Sequence, residues 1–295
     1  MGSYILSCCS TADRPLSFFE KRDIAFTCFH FELDGRTYAD DLGKSMKIDE
    51  FYRRMAMGAM PTTNQVNVEQ YTEFWEPFLK EGKDILHLTL SSGITGTLNS
   101  AVAAAEELKV KYPERRLVVM DSLAASAGYG LYMELLADKR DEGADLDEVI
   151  SYAEEIRLHI HHWFFSSDLT SFWRGGRISK AKGIIGNALG ICPLMNVNKD
   201  GKLIPRRNVR TKKKVMVELM KEMEAHAVDG RNYSGKCRIS NSGCYSDAQT
   251  MKKLIEANFP NIDGEIEISD VGTVIGAHTG PGTIAVFFVG DERGE

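Results

Sequence analysis

Apolar and polar residues along the first half of the chain fall into short blocks that fit a repeating strand and helix order. Ile24 to Phe31 reads as a strand. Asn67, followed three residues later by Gln70, carries the signature of a capping box. It opens a helix on which Val68, Tyr71, Phe74, Trp75 and Phe78 share one face. A strand from Ile85 to Leu90 follows, then a glycine-containing turn, then a helix with Leu98, Ala101, Val102, Ala105 and Leu108 as its apolar stripe. Leu117 to Met120 predicts a third buried strand ahead of another helical stretch. Asp145 and Glu148 open a further helix, with Leu146, Val149, Ile150, Ala153 and Ile156 together. Strands separated by helices of a dozen or so residues imply βαβ units, hence a parallel sheet covered on both faces.

Beyond residue 160 the rhythm changes. Residues 163 to 210 mix patterns and hold eight glycines and prolines. After them come a charged helix (Lys212 to His226), a strand at Arg238 to Ser240, a helix from Ser246 to Asn258, and closing strands at Ile266 to Ile268 and Ile284 to Val289. The expectation is an α/β protein of two domains: residues 1–160 with a mostly parallel sheet covered by helices, and residues 161–295 as a mixed-sheet α+β domain.

Composition narrows the class. Of 295 residues, 43% are hydrophobic and 26% charged, which fits a globular chain and excludes wholesale disorder. A net charge of -6 argues against a general nucleic-acid binder. The longest clean apolar run, Ile284 to Val289, is far short of a membrane span. No basic residue precedes Arg14, so an export signal is not expected, and Leu6 stands where a myristoylation motif needs Ser or Thr. The six cysteines are scattered without a CxxC pair and read as reduced thiols in a cytoplasmic protein.

Three polar turns carry the chemistry. In LHLTLSSGITGTLNSA (Leu86 to Ala101) an apolar strand gives way to serines, glycines and threonines at the start of a helix. Unpaired backbone N–H groups there attract an anion. VIGAHTGPGTIAVFF (Val274 to Phe288) reads as a loop between strands, and its three glycines allow close backbone approach to a ligand. Its one titratable side chain, His278, suits a hydrogen bond or a base. MPTTNQVN (Met60 to Asn67) adds Thr62, Thr63 and Asn64. With no charged residue inside these turns, they suit an anionic head group held by neutral donors. Each also admits a plainer role as a helix cap or turn.

In the same order, these segments resemble the DegV family of bacterial proteins over nearly the whole chain. SSGITGTLNSA is similar to the family's SSGLSGTYQSA-type segment, VVMDSLAASAGYG (Val118 to Gly130) to its VxDSxxxSxGxG segment, and SFWRGGRISKAKG (Ser171 to Gly183) to its LKKGGRIS-type loop. GAHTGPG matches its signature. There are two departures. LSCCSTAD places Cys9 where the family's VTDST-D pattern has Asp, which removes a carboxylate expected near the loop mouth, and the TSQPS motif becomes Thr63-Asn64-Gln65-Val66-Asn67.

The resemblance implies two α/β domains and one long-chain fatty acid as ligand, with no cofactor and no catalysis by this chain. For some members it also implies service as the acyl-carrying subunit of a fatty acid kinase. The carboxylate site then maps to Thr62 or Thr63, Ser92 with Gly93, and His278 with Thr279. Burying roughly 14 methylenes at about 0.8 kcal/mol each offers up to about 11 kcal/mol before ordering is counted.

Other features admit rival readings. Arg206, Arg207, Arg210, Lys212, Lys213 and Lys214 crowd six basic residues into nine positions, a solvated face or a docking patch for an acidic kinase partner. His159, His161 and His162 lack a matching ligand at zinc-like spacing and read as strand packing, with no metal expected. Ser92, His278 and Asp121 are the residue types of a nucleophilic triad, so an acyl hydrolase or acyltransferase is the enzyme alternative, although no GxSxG elbow is present. A kinase-like subunit binding a small hydroxyketone through His278 is a third.

Overall fold

The computed structural model describes residues 4–178 and 190–295. The end of the SFWRGGRISKAKG segment, residues 179–183, lies outside the described residues, as do residues 1–3. The first half runs β1 (Tyr4–Cys9), α1 (Leu16–Lys21), β2 (Ile24–Thr27), β3 (His30–Leu33), β4 (Arg36–Ala39), α2 (Ile48–Ala56), β5 (Thr62–Asn64), α3 (Val68–Lys80), β6 (Asp84–Thr89), α4 (Thr97–Lys111), β7 (Leu117–Asp121), α5 (Ser126–Asp141) and α6 (Leu146–Ile156). The second runs β8 (Ile160–Ser166), α7 (Thr170–Arg174), β9 (Ile191–Val197), β10 (Leu203–Arg210), α8 (Lys212–His226), β11 (Arg238–Asn241), α9 (Tyr245–Asn258), β12 (Glu267–Asp270), α10 (Thr273–Thr279) and β13 (Thr283–Val289).

The fold consists of two α/β domains. The first sheet is wholly parallel, in the order β2-β1-β6-β7. Its interior strand β1 is hidden in the residue pattern, because five of its six residues are buried, on both faces, and show no alternation. The stretch from Ile24 to Phe31 is not one strand. It breaks at Cys28 and Phe29, and β3 leaves to pair with β4 and β5 in a separate antiparallel sheet. The capping boxes are present at both expected helices, Asn67 with Gln70 on α3 and Asp145 with Glu148 on α6. On α4 the buried stripe is Thr97, Ala101, Ala104 and Leu108, whereas Val102 is exposed.

The second sheet is mixed, in the order β10-β9-β8-β13-β11-β12, with only β11 and β12 parallel. Period-two alternation divides its two faces. Trp163, Phe165, Ile284, Val286 and Phe288 pack outward with α8 and α9, while Phe164, Ala285 and Phe287 join the core shared with the first domain. Between the two sheets lies α5. Its first helical turns are Ser126-Ala127-Gly128-Tyr129-Gly130, all buried. A Cβ on Gly128 would fall 2.5 Å from Phe287 Cδ1, and one on Gly130 would fall 2.7 Å from the Ala12 carbonyl oxygen, so glycine lets both neighbours approach the helix. One turn on, Glu134 receives Arg238 in a bidentate pair (3.1 and 2.6 Å), with Lys236 at 3.2 Å and Arg14 at 3.5 Å. Burial acts to raise its carboxyl pKa, but these cations hold it below the usual value.

All six cysteines are free, and no helix of the described residues is long and apolar enough to cross a membrane.

Candidate functional site

A cavity of about 320 Å³ lies between the two domains, within the size range of small-molecule sites. Phe29, Leu90, Phe164, Phe172, Val274 and Phe287 are among the apolar groups in its wall. His162 adds a polar ring. It accepts the Ala125 N–H on Nε2 (3.2 Å) and donates from Nδ1 to the Ile160 carbonyl (2.9 Å), and burial lowers its pKa well below the ordinary value.

Polar groups gather where α10 meets β5. Residues 273–279, expected as part of a loop, form the short helix α10 with His278 in its last turn. Gly276 lies against the hydroxyl of Tyr52, 2.5 Å from where its own Cβ would stand, so the glycine that hides the helix in the sequence is needed for packing. The first domain anchors the start of α10. Asp40 Oδ1 accepts from the backbone N–H (3.1 Å) and hydroxyl (2.6 Å) of Thr273, and Tyr52 donates to the Val271 carbonyl (2.8 Å). At the other end, Gly280 takes a left-handed φ of 70° and turns the chain away.

His278 Nε2 and Thr63 Oγ1 are 2.8 Å apart. Burial, reinforced by Arg177, lowers the His278 pKa to about 4, so the ring is neutral at neutral pH. A neutral imidazole carries one N–H. If that hydrogen is on Nε2, it is donated to Thr63, whose own hydroxyl hydrogen is then free. If it is on Nδ1, Thr63 donates to Nε2 and the Nδ1–H is free. Both tautomers leave one donor available. His278 Nδ1 and Thr279 Oγ1 are buried without a hydrogen-bond partner, and such groups are destabilising unless something pairs with them.

The structure brings Thr63, His278 and Thr279 together on the cavity wall. Thr62, Ser92 and Gly93 do not line it; Thr62 and Ser92 are exposed. Of the serine-rich turn, Thr95 and Gly96 reach the wall instead. The Ser91-Ser92-Gly93 turn interlocks with the tip of the β9–β10 hairpin. Ser91 donates to the Gly201 carbonyl (2.8 Å), and a Cβ on Gly93 would stand 2.5 Å from the Asp200 carbonyl oxygen. Asp121 Oδ1 accepts the backbone N–H groups of Ser92 (3.1 Å) and Leu123 (3.0 Å), while His278 bonds Thr63. Among the described residues, no hydrogen bond joins Ser92, His278 and Asp121 into a triad.

Two further placements correct the sequence reading. The polar groups are not all neutral: Arg177, in the segment similar to the LKKGGRIS-type loop, lines the cavity and is held by the Ile94 carbonyl (3.1 Å) and the Gly175 carbonyl (2.5 Å). Counting charges only inside the three hydroxyl-rich turns missed it. Cys9 is not at the mouth. It is fully buried in the first domain, with its Sγ 3.4 Å from Tyr71 Oη and 3.8 Å from His87 Nε2. Asn64, the other departure from the family pattern, does line the cavity.

The family model described as "Uncharacterised protein, DegV family" matches residues 9–291. The chain belongs to the DegV family. A DegV domain-containing protein of Clostridium perfringens is 35% identical over 293 residues, covering 99% of both chains. A protein named fatty acid-binding protein from Thermotoga maritima is 32% identical and covers 93% of both. The crystal structure of a DegV lipid binding protein, also from Thermotoga maritima, superposes with a TM-score of 0.84 at 28% identity, over 99% of both chains. The DegV architecture thus extends along the whole chain.

Of the basic stretch, three members are engaged. Arg206 bonds Asn196 and the Glu295 carbonyl, Arg207 pairs with Glu218 and Glu222, and Lys212 pairs with Asp247 (2.6 Å). Lys213 and Lys214 stand in the first turn of α8 as expected, and they and Arg210 have no ion-pair partner among the described residues.

Proposed function

We propose that this protein binds one long-chain fatty acid in the cavity between its domains. The carboxylate sits against Thr63, His278 and Thr279 with Arg177 nearby, and the chain runs along the Phe164 and Phe287 wall. The observation that carries this reading is the placing of two unpartnered buried polar atoms, His278 Nδ1 and Thr279 Oγ1, on residues of an otherwise largely apolar cavity. An apolar tail fits the wall, and an anionic end supplies acceptors for the polar groups. Thr62, Ser92 and Gly93 fall outside the wall, so within this reading they serve the loops that shape the mouth. The fatty acid-binding relative supports the ligand class.

The protein acts as a carrier that offers the carboxylate to a fatty acid kinase subunit. Arg210, Lys213 and Lys214, without an ion-pair partner among the described residues, offer their charges for docking an acidic partner, with Arg206, Arg207 and Lys212 beside them in ion pairs and hydrogen bonds. Native mass spectrometry of protein purified from cells tests the binding. A mass excess that solvent extraction identifies as free fatty acid is expected. Protein that is empty and rejects added oleate and stearate would falsify the reading. A covalent adduct on His278 after incubation with dihydroxyacetone would instead favour the hydroxyketone alternative.

A further inference from the structure

Strand alternation on β8 turns His162 toward the cavity and His161 to the opposite face of the sheet. There His161 meets two residues far away in sequence, His226 in the last turn of α8 and Asp291 just after β13. Their ligand atoms all lie within 4.8 Å of one another. We propose that His161, His226 and Asp291 bind a single divalent cation of the zinc class, which fastens the C-terminal tail to the second domain.

The two separations made by Asp291 fit one ion. Asp291 Oδ1 is 3.0 Å from His161 Nε2 and 3.1 Å from His226 Nδ1. Ligand atoms each ~2.1 Å from a common zinc ion, at angles of ~90 to 109°, are separated by ~3.0 to 3.4 Å. Two imidazoles and a carboxylate leave a further position open to water, a donor set suited to zinc rather than to calcium or magnesium.

The arrangement is also held in place before any ion arrives. The Asp291 N–H donates to the His226 carbonyl and the Gly290 N–H to the His159 carbonyl, both at 2.9 Å, so the tail is laced to both histidine-bearing segments. A Cβ on Gly290 would stand 2.7 Å from His161 Cδ2, so glycine lets the tail close on the ring. Glu222 Oε2 lies 3.6 Å from His226 Nε2, where it favours a proton on that nitrogen and a lone pair on Nδ1. On binding, His161 releases the Asp291 carbonyl (2.8 Å) and moves its one proton from Nε2 to Nδ1. The tail so fixed carries Arg293, 3% exposed, which donates to the Leu123 carbonyl (3.0 Å) in the loop before α5.

Zn²⁺ titration of the chelator-stripped, reduced full chain by calorimetry tests this. One site per chain is expected, weakened tenfold or more by His226→Ala and by Asp291→Asn, and unchanged in the double variant Cys28→Ser/Cys244→Ser, which removes the two incompletely buried thiols. Zn²⁺ should also raise the Tm of the parent protein and not that of Asp291→Asn, a change at an exposed side chain that leaves the fold intact. The proposal is overturned if no one-to-one binding occurs, if both ligand variants keep the parent affinity, or if the cysteine variant loses it.

Discussion

The two domains meet along α5 and again along α10, and the contacts are built in opposite ways. Past its first residue α5 is closed in: Gly128 and Gly130 let both neighbours approach the helix, and Arg238, Lys236 and Arg14 gather on the Glu134 carboxylate. Along α10 the start of the helix is tied down by Asp40, but at its last turn a cavity remains and two buried polar atoms, His278 Nδ1 and Thr279 Oγ1, are left without partners. A filled, paired contact supplies stability, and a hollow, unpaired one reserves space for something else. Under the proposed function, the ligand takes the hollow side.

The sharpest test of the closed side is Glu134→Ala. It leaves Arg238, 4% exposed, without its carboxylate and Arg14 with Glu267 alone (2.9 Å), and should destabilise the protein by about 3 to 5 kcal/mol in urea denaturation. A change under about 1 kcal/mol would mean that the buried pair is not what joins α5 to β11.

Ala285→Phe probes the open side. Ala285 lines the cavity, so the added ring projects into space that is already empty. Acyl occupancy in native mass spectra should vanish while the urea midpoint moves far less than with Glu134→Ala. Retained fatty acid would place the tail elsewhere.

A smaller effect concerns protons. The folded-state pKa of His278 is depressed to about 4 against an ordinary 6.5, so between these values the unfolded chain binds more protons than the native one. Stability therefore falls as pH drops from 6.5 toward 4, by about 2 kcal/mol at pH 5 for this one group. His278→Gln should flatten the pH profile of unfolding over that window, and a parallel profile would show that the ring does not titrate as its burial demands. In the same variant acyl affinity should weaken about tenfold, the loss of one hydrogen-bonding group.

The smallest change in stability belongs to Arg210→Glu/Lys213→Glu/Lys214→Glu. Without ion-pair partners to lose, folding should shift by no more than about 0.5 kcal/mol, while docking of an acidic kinase subunit at low salt should weaken measurably. Equal docking by parent and variant would remove this surface from the partner contact.

What was legible in the sequence follows physical lines. Helices α3 and α6 announce themselves because a capping box is a local signal. Strand β1 and the β3-β4-β5 sheet do not, since a fully buried strand shows no alternation and the break at Cys28 and Phe29 carries neither glycine nor proline. Thr63, His278 and Thr279 stand out because the segments that hold them differ from their surroundings in composition. Arg177 was not, because its role depends on where α7 delivers it. The same applies to His161, whose neighbours in space, His226 and Asp291, lie 65 and 130 residues further along the chain.

The anchoring of Thr273 by Asp40 has a consequence for how such proteins can be recombined. The helix that aims His278 belongs to one half of the molecule, but its starting point is set by a carboxylate from the other. A chimera joining the first half of this chain to the second half of a relative would therefore inherit a correctly folded histidine pointed by a foreign hand. Under the proposed function, its ligand preference would track the origin of the residue-40 loop as closely as that of the histidine itself.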